Sequence, residues 1–323
     1  MIKDARYKGI FFMLLASLGF SVMGGSAKLL KENFNAGQLV FFRNLVGLIL
    51  LLASFYRRPA ISLGGKFFWL AFRGFMGTVA LYALLYCILH IPLGTAMTYN
   101  LTSALFIAIF SFLLFKEYNG HWVLLAVLIG FAGMVLVYKP AIHFPWYYHA
   151  AGILSGIASA AAYITVGKLY KYYDTRIIVL SFIFSGVLIP SFFMLAQRFF
   201  HIPADDVFFI QWQWPQGVQW FYVLLLGLAA LFGQYFVTLA YGTDKAGIVS
   251  AFGYANIIFS VFIGVLLGEA FPDPMSWAGI FCIISSGIIS LFTTPILYVW
   301  FIEFGPWVRK FRFPRRKSRI RTV

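Results

Sequence analysis

Apolar residues run along this chain in blocks of about 17 to 26, each long enough to cross a bilayer as a helix, and short gaps between the blocks hold almost all the charge. Reading the gaps predicts ten spans, at 9–27, 38–56, 67–89, 93–115, 122–138, 150–167, 177–197, 219–241, 246–268 and 276 to about 301. A membrane β-barrel would need segments of about ten residues alternating apolar and polar, and these blocks are too long and too uniform for that. The first span follows Lys3, Arg6 and Lys8, but no small-residue cleavage site stands out and nine spans follow, so it reads as a helix rather than a signal peptide.

Composition agrees with the pattern. Hydrophobic residues make up 62% and charged residues 11% of the 323 positions, against roughly 45–50% and 25% in an average soluble domain. No room is left for a soluble domain, and the expected fold class is an all-α integral membrane protein. Cys87 and Cys282 fall inside spans, where a thiol is a small buried hydrophobe, so neither a disulfide framework nor a metal site is expected.

The basic residues set an orientation. With the N-terminus inside, 19 of the 25 Lys and Arg face the cytoplasm, four (Lys28, Lys31, Lys139 and Arg198) face the other side, and Arg43 and Arg73 lie within spans. That bias predicts cytoplasmic N- and C-termini. The net charge of +15 therefore calls for no nucleic acid. The tail "RKFRFPRRKSRIRTV" reads as a topogenic or lipid-facing segment, and Trp300 and Trp307 fit an interfacial aromatic belt.

Two halves can be matched. Lys28 and Lys31 recur as Lys168 and Lys171, and "SFLLFKE" aligns without a gap to "IGVLLGE", pairing Glu117 with Glu269. Five spans, a linker and five more spans make an odd number per half, which would invert the second half relative to the first. The expected organisation is a first five-helix repeat at 1–139, a linker at 140–149, an inverted second repeat at 150–303 and a basic cytoplasmic tail at 304–323.

Ten spans in this arrangement, with "FFRN" early in the second, "RGFMGTVALYALLYCILHIPLGTAMTYNLTSALFIAIFSFLLFKE" across the third and fourth and "IGFAGMVLV" in the fifth, resemble the EamA type of the drug/metabolite transporter superfamily. The resemblance covers about residues 8 to 300 and is clearer in the first half; the position matching Arg43 in the second half is Ile183. It implies a permease without a covalent cofactor, a central cavity between the repeats, and the fifth and tenth spans toward the periphery.

Polar residues inside the spans mark the candidate site. Thr95, Thr98, Tyr99 and Thr102 share one helical face, widened by Asn100 and Ser103. Such residues either glue helices together, at roughly 0.6 kcal/mol per contact, or line a cavity. The shift that pairs Glu117 with Glu269 puts Ser250 opposite Thr98, Tyr254 opposite Thr102, and Gln234 and Thr238 opposite Tyr82 and Tyr86; Asn256 and Ser260 follow in the ninth span. Ser17 and Ser21 add a face of the first span beside the small residues of "GGS".

Arg43 and Arg73 enter their spans by about six residues from opposite faces, roughly 9 Å at helical rise. Either they snorkel to bond carbonyls and headgroups, or they clamp an anion. No Asp or Glu lies deep in a span, which disfavours obligatory proton coupling through a buried carboxylate. No constellation of His, Cys or paired carboxylates suggests an enzyme, and no cofactor is expected. The reading is an inner-membrane permease for a small polar organic metabolite, working by alternating access as a uniporter or exchanger, with membrane lipids as its surroundings. The other reading is a flippase for lipid-linked substrates.

Overall fold

The computed structural model of the protein describes residues 8–30, 33–60, 62–91, 93–115, 121–139, 144–200, 212–268 and 271–291. All regular structure among them is helical: α1 (Lys8–Leu30), α2 (Ala36–Arg57), α3 (Phe67–His90), α4 (Leu93–Leu101), α5 (Ser103–Phe115), α6 (His121–Tyr138), α7 (Trp146–Leu169), α8 (Thr175–Phe200), α9 (Gln219–Thr243), α10 (Ala246–Gly253), α11 (Ala255–Leu266) and α12 (Pro274–Leu291). Lys31, Glu117, Glu269, the end of the tenth predicted span and the basic tail lie outside the described residues.

Eight crossings are long and apolar enough to traverse a membrane, and two shorter apolar helices at 96–111 and 274–289 fall where the other two spans are predicted. The protein is a multi-pass membrane protein. Its outer face carries Ile49, Leu52, Phe192, Leu195 and Phe281 in exposed positions, the reverse of a water-soluble surface and suited to lipid tails.

Helix ends follow local chemistry. Asn35 caps α2 by accepting the Gln38 N–H at 3.0 Å, and Asp174 accepts the Arg176 N–H at 2.8 Å at the start of α8. Asp273 accepts from Ser276 N at 3.0 Å, with Pro274 as the first residue of α12, where its missing N–H costs nothing.

The fourth and ninth predicted spans are not continuous. Each is interrupted by one residue, at Thr102 and at Tyr254, the pair that the gapless alignment of the two halves superposes. At Thr102 the N–H is shared between the Thr98 and Tyr99 carbonyls (3.2 and 3.1 Å), and the side-chain hydroxyl also bonds the Tyr99 carbonyl, which tightens the turn. At Tyr254 the preceding Gly253 weakens the helix, and the Tyr254 carbonyl is taken by Ile257 N at 3.0 Å, a three-residue step.

Packing pairs the helices in a repeating way. α1 packs on α9, α10 and α11, while α7 packs on α3, α4 and α5; α2 meets α8 and α9, and α8 meets α2 and α3. α6 and α12 pack on one another, with Gly133 and Gly279 each facing the other's carbonyl so that the two backbones approach closely.

Candidate functional site

A cavity of about 160 Å³ lies at the centre of the bundle. Every helix contributes to its wall except α6 and α12, whose mutual contact sets them aside. On α1 the lining runs from Met13 to Gly24, about 16 Å along the axis at helical rise.

Eight of the predicted site residues meet there: Ser17, Arg43, Arg73, Asn100, Gln234, Ser250, Tyr254 and Asn256. Two asparagines organise the polar walls. Asn256 Nδ2 donates to the Ser17 carbonyl (3.0 Å) and to Ser21 Oγ (3.2 Å), Ser21 Oγ lies 2.9 Å from the Asn256 carbonyl, and Ser260 Oγ donates to Ser21 Oγ at 3.0 Å. Across the cavity, Asn100 Nδ2 reaches Ser155 Oγ (2.8 Å) and Ser159 Oγ (3.2 Å), and Ser155 donates on to the Ala80 carbonyl at 3.0 Å. Each asparagine thus satisfies polar groups that lipid could not.

The remaining predicted residues stand behind the wall. Tyr99 packs its ring over Gly152 and gives its hydroxyl proton to His149 Nδ1, while His149 Nε2 lies 3.0 Å from the Phe144 carbonyl, which assigns that nitrogen the proton. Thr102 sits against Gly156. The predicted polar face of the fourth span is therefore largely a packing face on α7, admitted by two glycines one turn apart, and its flanking residues Asn100 and Ser103 are the ones that reach the cavity. Tyr86 packs with His90 and Tyr148, at 4.5 and 5.7 Å between ring centres. Thr238 donates to the Gln234 carbonyl at 2.7 Å, Ser21 is held in the network above, and Thr98 and Tyr82 are buried away from the lining. The Thr95 side chain is outside the described residues.

The two arginines converge. Although they start from opposite ends of the bundle, Arg43 Cζ and Arg73 Cζ lie 5.3 and 5.1 Å from the centre of the same ring, Phe182 on α8. Arg43 is 6% and Arg73 1% exposed, so neither snorkels to an interface. Three aromatic lining residues, Phe182, Tyr163 and Tyr241, escape sequence reasoning because each reads as one more apolar position in an apolar span. Tyr163 and Tyr241 stack, with ring centres 5.1 Å apart and planes 20° apart.

Beyond Tyr241 lies a second cavity of about 740 Å³ at the end of the bundle that carries Lys66, Lys168, Lys171 and Lys245, with Asp244 also in its lining. Tyr241 lines both cavities. Lys168 Nζ rests 5.2 Å from the Trp69 ring centre and Lys66 Nζ 5.5 Å from that of Tyr172. No group of three or more His, Cys, Asp or Glu among the described residues is arranged to hold a metal.

Known proteins resemble this chain in sequence and fold. Residues 7–139 match the model of the EamA-like transporter family. A Helicobacter pylori protein described as an uncharacterized transporter is 33% identical over 288 residues, covering 87% of this chain and 93% of its own length. The pseudopaline exporter of Pseudomonas aeruginosa is 30% identical over 284 residues (86% of this chain, 94% of that one), and a riboflavin transporter of Vibrio cholerae is 24% identical over 298 residues (88% and 93%). One crystal structure superposes with a TM-score of 0.73 at 16% identity, over 89% of this chain and 98% of the other, which shows the fold. The chain belongs to the EamA-like family of the drug/metabolite transporter superfamily.

Proposed function

We propose that this transporter is a permease of the inner membrane that moves a small polar organic metabolite by alternating access, as a uniporter or exchanger. The amino acid, nucleoside, riboflavin-like and S-adenosylmethionine-like classes are its candidate substrates. The central cavity carries the reading: it is polar at chosen points, walled by helices of both halves, and bordered by the two interrupted crossings. A body that must open alternately to two sides needs such a site between two units that can rock.

The two units are residues 1–139 and 150–303, related as inverted repeats. Supporting this are the exchange of packing partners when the halves are swapped, α1 on α9 for α7 on α3 and α2 on α9 for α8 on α3, and the matched interruptions at Thr102 and Tyr254. The bias of Lys and Arg supports cytoplasmic termini, which makes the lysine-lined cavity the cytoplasmic vestibule. Substrate contact falls to Ser17, Asn100, Gln234, Ser250, Tyr254 and Asn256, while Tyr82, Tyr86, Thr98, Tyr99, Thr102, Thr238 and Ser21 hold those residues in place.

Counterflow in proteoliposomes tests the proposal. Liposomes loaded with an unlabelled member of one metabolite class should draw in the labelled compound, and Gln234→Ala and Tyr254→Ala should each lower the initial rate several-fold with the protein still monodisperse. Entry that neither variant changes would sink the site, and no entry in any class would turn attention to lipid-linked substrates.

A further inference from the structure

Arg43 and Arg73 bring two positive charges to the centre of the bundle, and no carboxylate among the described residues lines the cavity with them. Arg43 Nε and Nη1 and Arg73 Nε and Nη2 are buried without a hydrogen-bond partner. Burying such donors unpaired is costly, and more so when they are charged. On Arg73 the two unpartnered nitrogens form one edge of the guanidinium, the fork that fits two oxygens of a carboxylate or phosphate. Both cations lie over the Phe182 ring, at 5.3 and 5.1 Å from Cζ to the ring centre, which eases their proximity without supplying a hydrogen-bond acceptor. Gln234 Nε2 and the Tyr254 hydroxyl, on the same wall, are likewise buried and unpartnered.

A second observation points the same way. The neighbouring cavity that shares Tyr241 is lined by four lysines against one aspartate, a surface that gathers anions and repels cations.

Resting on the transporter reading, we infer that the substrate is a small organic anion whose carboxylate or phosphate sits between Arg43 and Arg73 beside Phe182, and that the protein exchanges one such anion for another. Exchange follows from the charges. With an anion bound, the two guanidiniums are partly neutralised when the two units close around the site; without one, the closed state on the return step buries two uncompensated charges away from water in a medium of low dielectric. The empty carrier is therefore slow to return.

The test is thermal stabilisation of the purified full chain by succinate, hippurate, phenyl phosphate and glycerol 3-phosphate, against the matched neutral amides succinamide and hippuramide and the cation putrescine. At least one anion should stabilise the protein where the amides and putrescine do not. Arg43→Gln and Arg73→Gln should weaken its apparent affinity by about tenfold or more, equal to about 1.4 kcal/mol. If either glutamine variant is not monodisperse, Arg73→Lys carries the test: it keeps the charge, lacks the fork, and should also bind more weakly. Equal stabilisation by the amides, stabilisation unchanged in every arginine variant, or none by any anion would overturn the assignment. Stabilisation seen only in phosphatidylglycerol nanodiscs would overturn the soluble-anion substrate and give the clamp to a lipid headgroup. Counterflow separates the two readings: anion binding without counterflow would sink transport and keep the clamp, and counterflow of neutral or cationic metabolites alone would do the reverse.

Discussion

Asn100 and Asn256 make the same contact on opposite sides of the cavity. Each amide, carried by an interrupted crossing, spans two serines one turn apart on a long neighbouring helix: Ser155 and Ser159 for Asn100, Ser17 and Ser21 for Asn256, the last pair through the Ser17 carbonyl and the Ser21 hydroxyl. Interhelical hydrogen bonds of this kind contribute roughly 0.6 kcal/mol each. Asn100→Leu and Asn256→Leu should each destabilise the protein by about 1 to 2 kcal/mol, because the groups each amide reaches lose a buried donor. A denaturation series in detergent reads this directly, and a change below about 0.3 kcal/mol in both would mean water already satisfies these groups.

Tyr241 lines both the central cavity and the lysine-lined one, and Tyr163, which lines the central cavity, stacks on it. Removing the Tyr241 ring should join the two spaces. In a background with Cys87 and Cys282 replaced by alanine, a cysteine placed at Ser159 should react slowly with a membrane-impermeant thiol reagent added from the lysine-bearing side. Tyr241→Ala should speed that labelling about tenfold, and unchanged labelling would show that another element closes the path.

Much of the fold was legible because apolar length is a strong signal: all ten predicted spans coincide with helices among the described residues. Inside the spans the signal weakens. The face of Thr98, Tyr99 and Thr102 could be drawn from spacing, yet what it meets depends on Gly152 and Gly156 some fifty residues away, so spacing alone could not tell packing from cavity. The convergence of Arg43 and Arg73 was hidden differently. Counted along the chain they enter from opposite faces, and only the reach of two long side chains toward Phe182 brings them together. Phe182, Tyr163 and Tyr241 carried no signal at all, since aromatic residues fill 20% of this chain.

Two ion pairs outside the spans contribute to the acid stability. Hydrogen bonds from Lys139 and Ser276 hold Asp273 well below the ordinary carboxylate range. For Asp174 burial acts to raise the pKa, but hydrogen bonds and charge from Arg176 outweigh it and leave the group below its usual value. A carboxylate depressed in the folded state contributes stability that is present above its unfolded pKa and lost as pH falls through the folded one. Melting temperature should therefore stay flat from about pH 8 to 5 with respect to these groups and fall below about pH 4. Asp174→Asn and Asp273→Asn should lower stability near neutrality and shrink the acid-side fall; variants that melt as the parent does at both pH values would show the pairs to be inert.

Net flux and exchange separate the two mechanisms left open for this cavity. Because Arg43 and Arg73 lack a resident counter-charge among the described residues, efflux of a labelled anion into buffer holding no partner anion should be at least about tenfold slower than efflux into buffer that supplies one. The difference measures the barrier of the empty return step. Arg43→Gln should narrow it from both directions: the loaded site binds more weakly, and the empty site has one unpaired charge fewer to bury when the two units close around it. A uniporter would show equal rates with and without the partner anion. Equal rates in the parent protein would remove exchange while leaving the anion clamp standing, whereas a gap that widens in Arg43→Gln would mean that the empty state is held back by something other than these two charges.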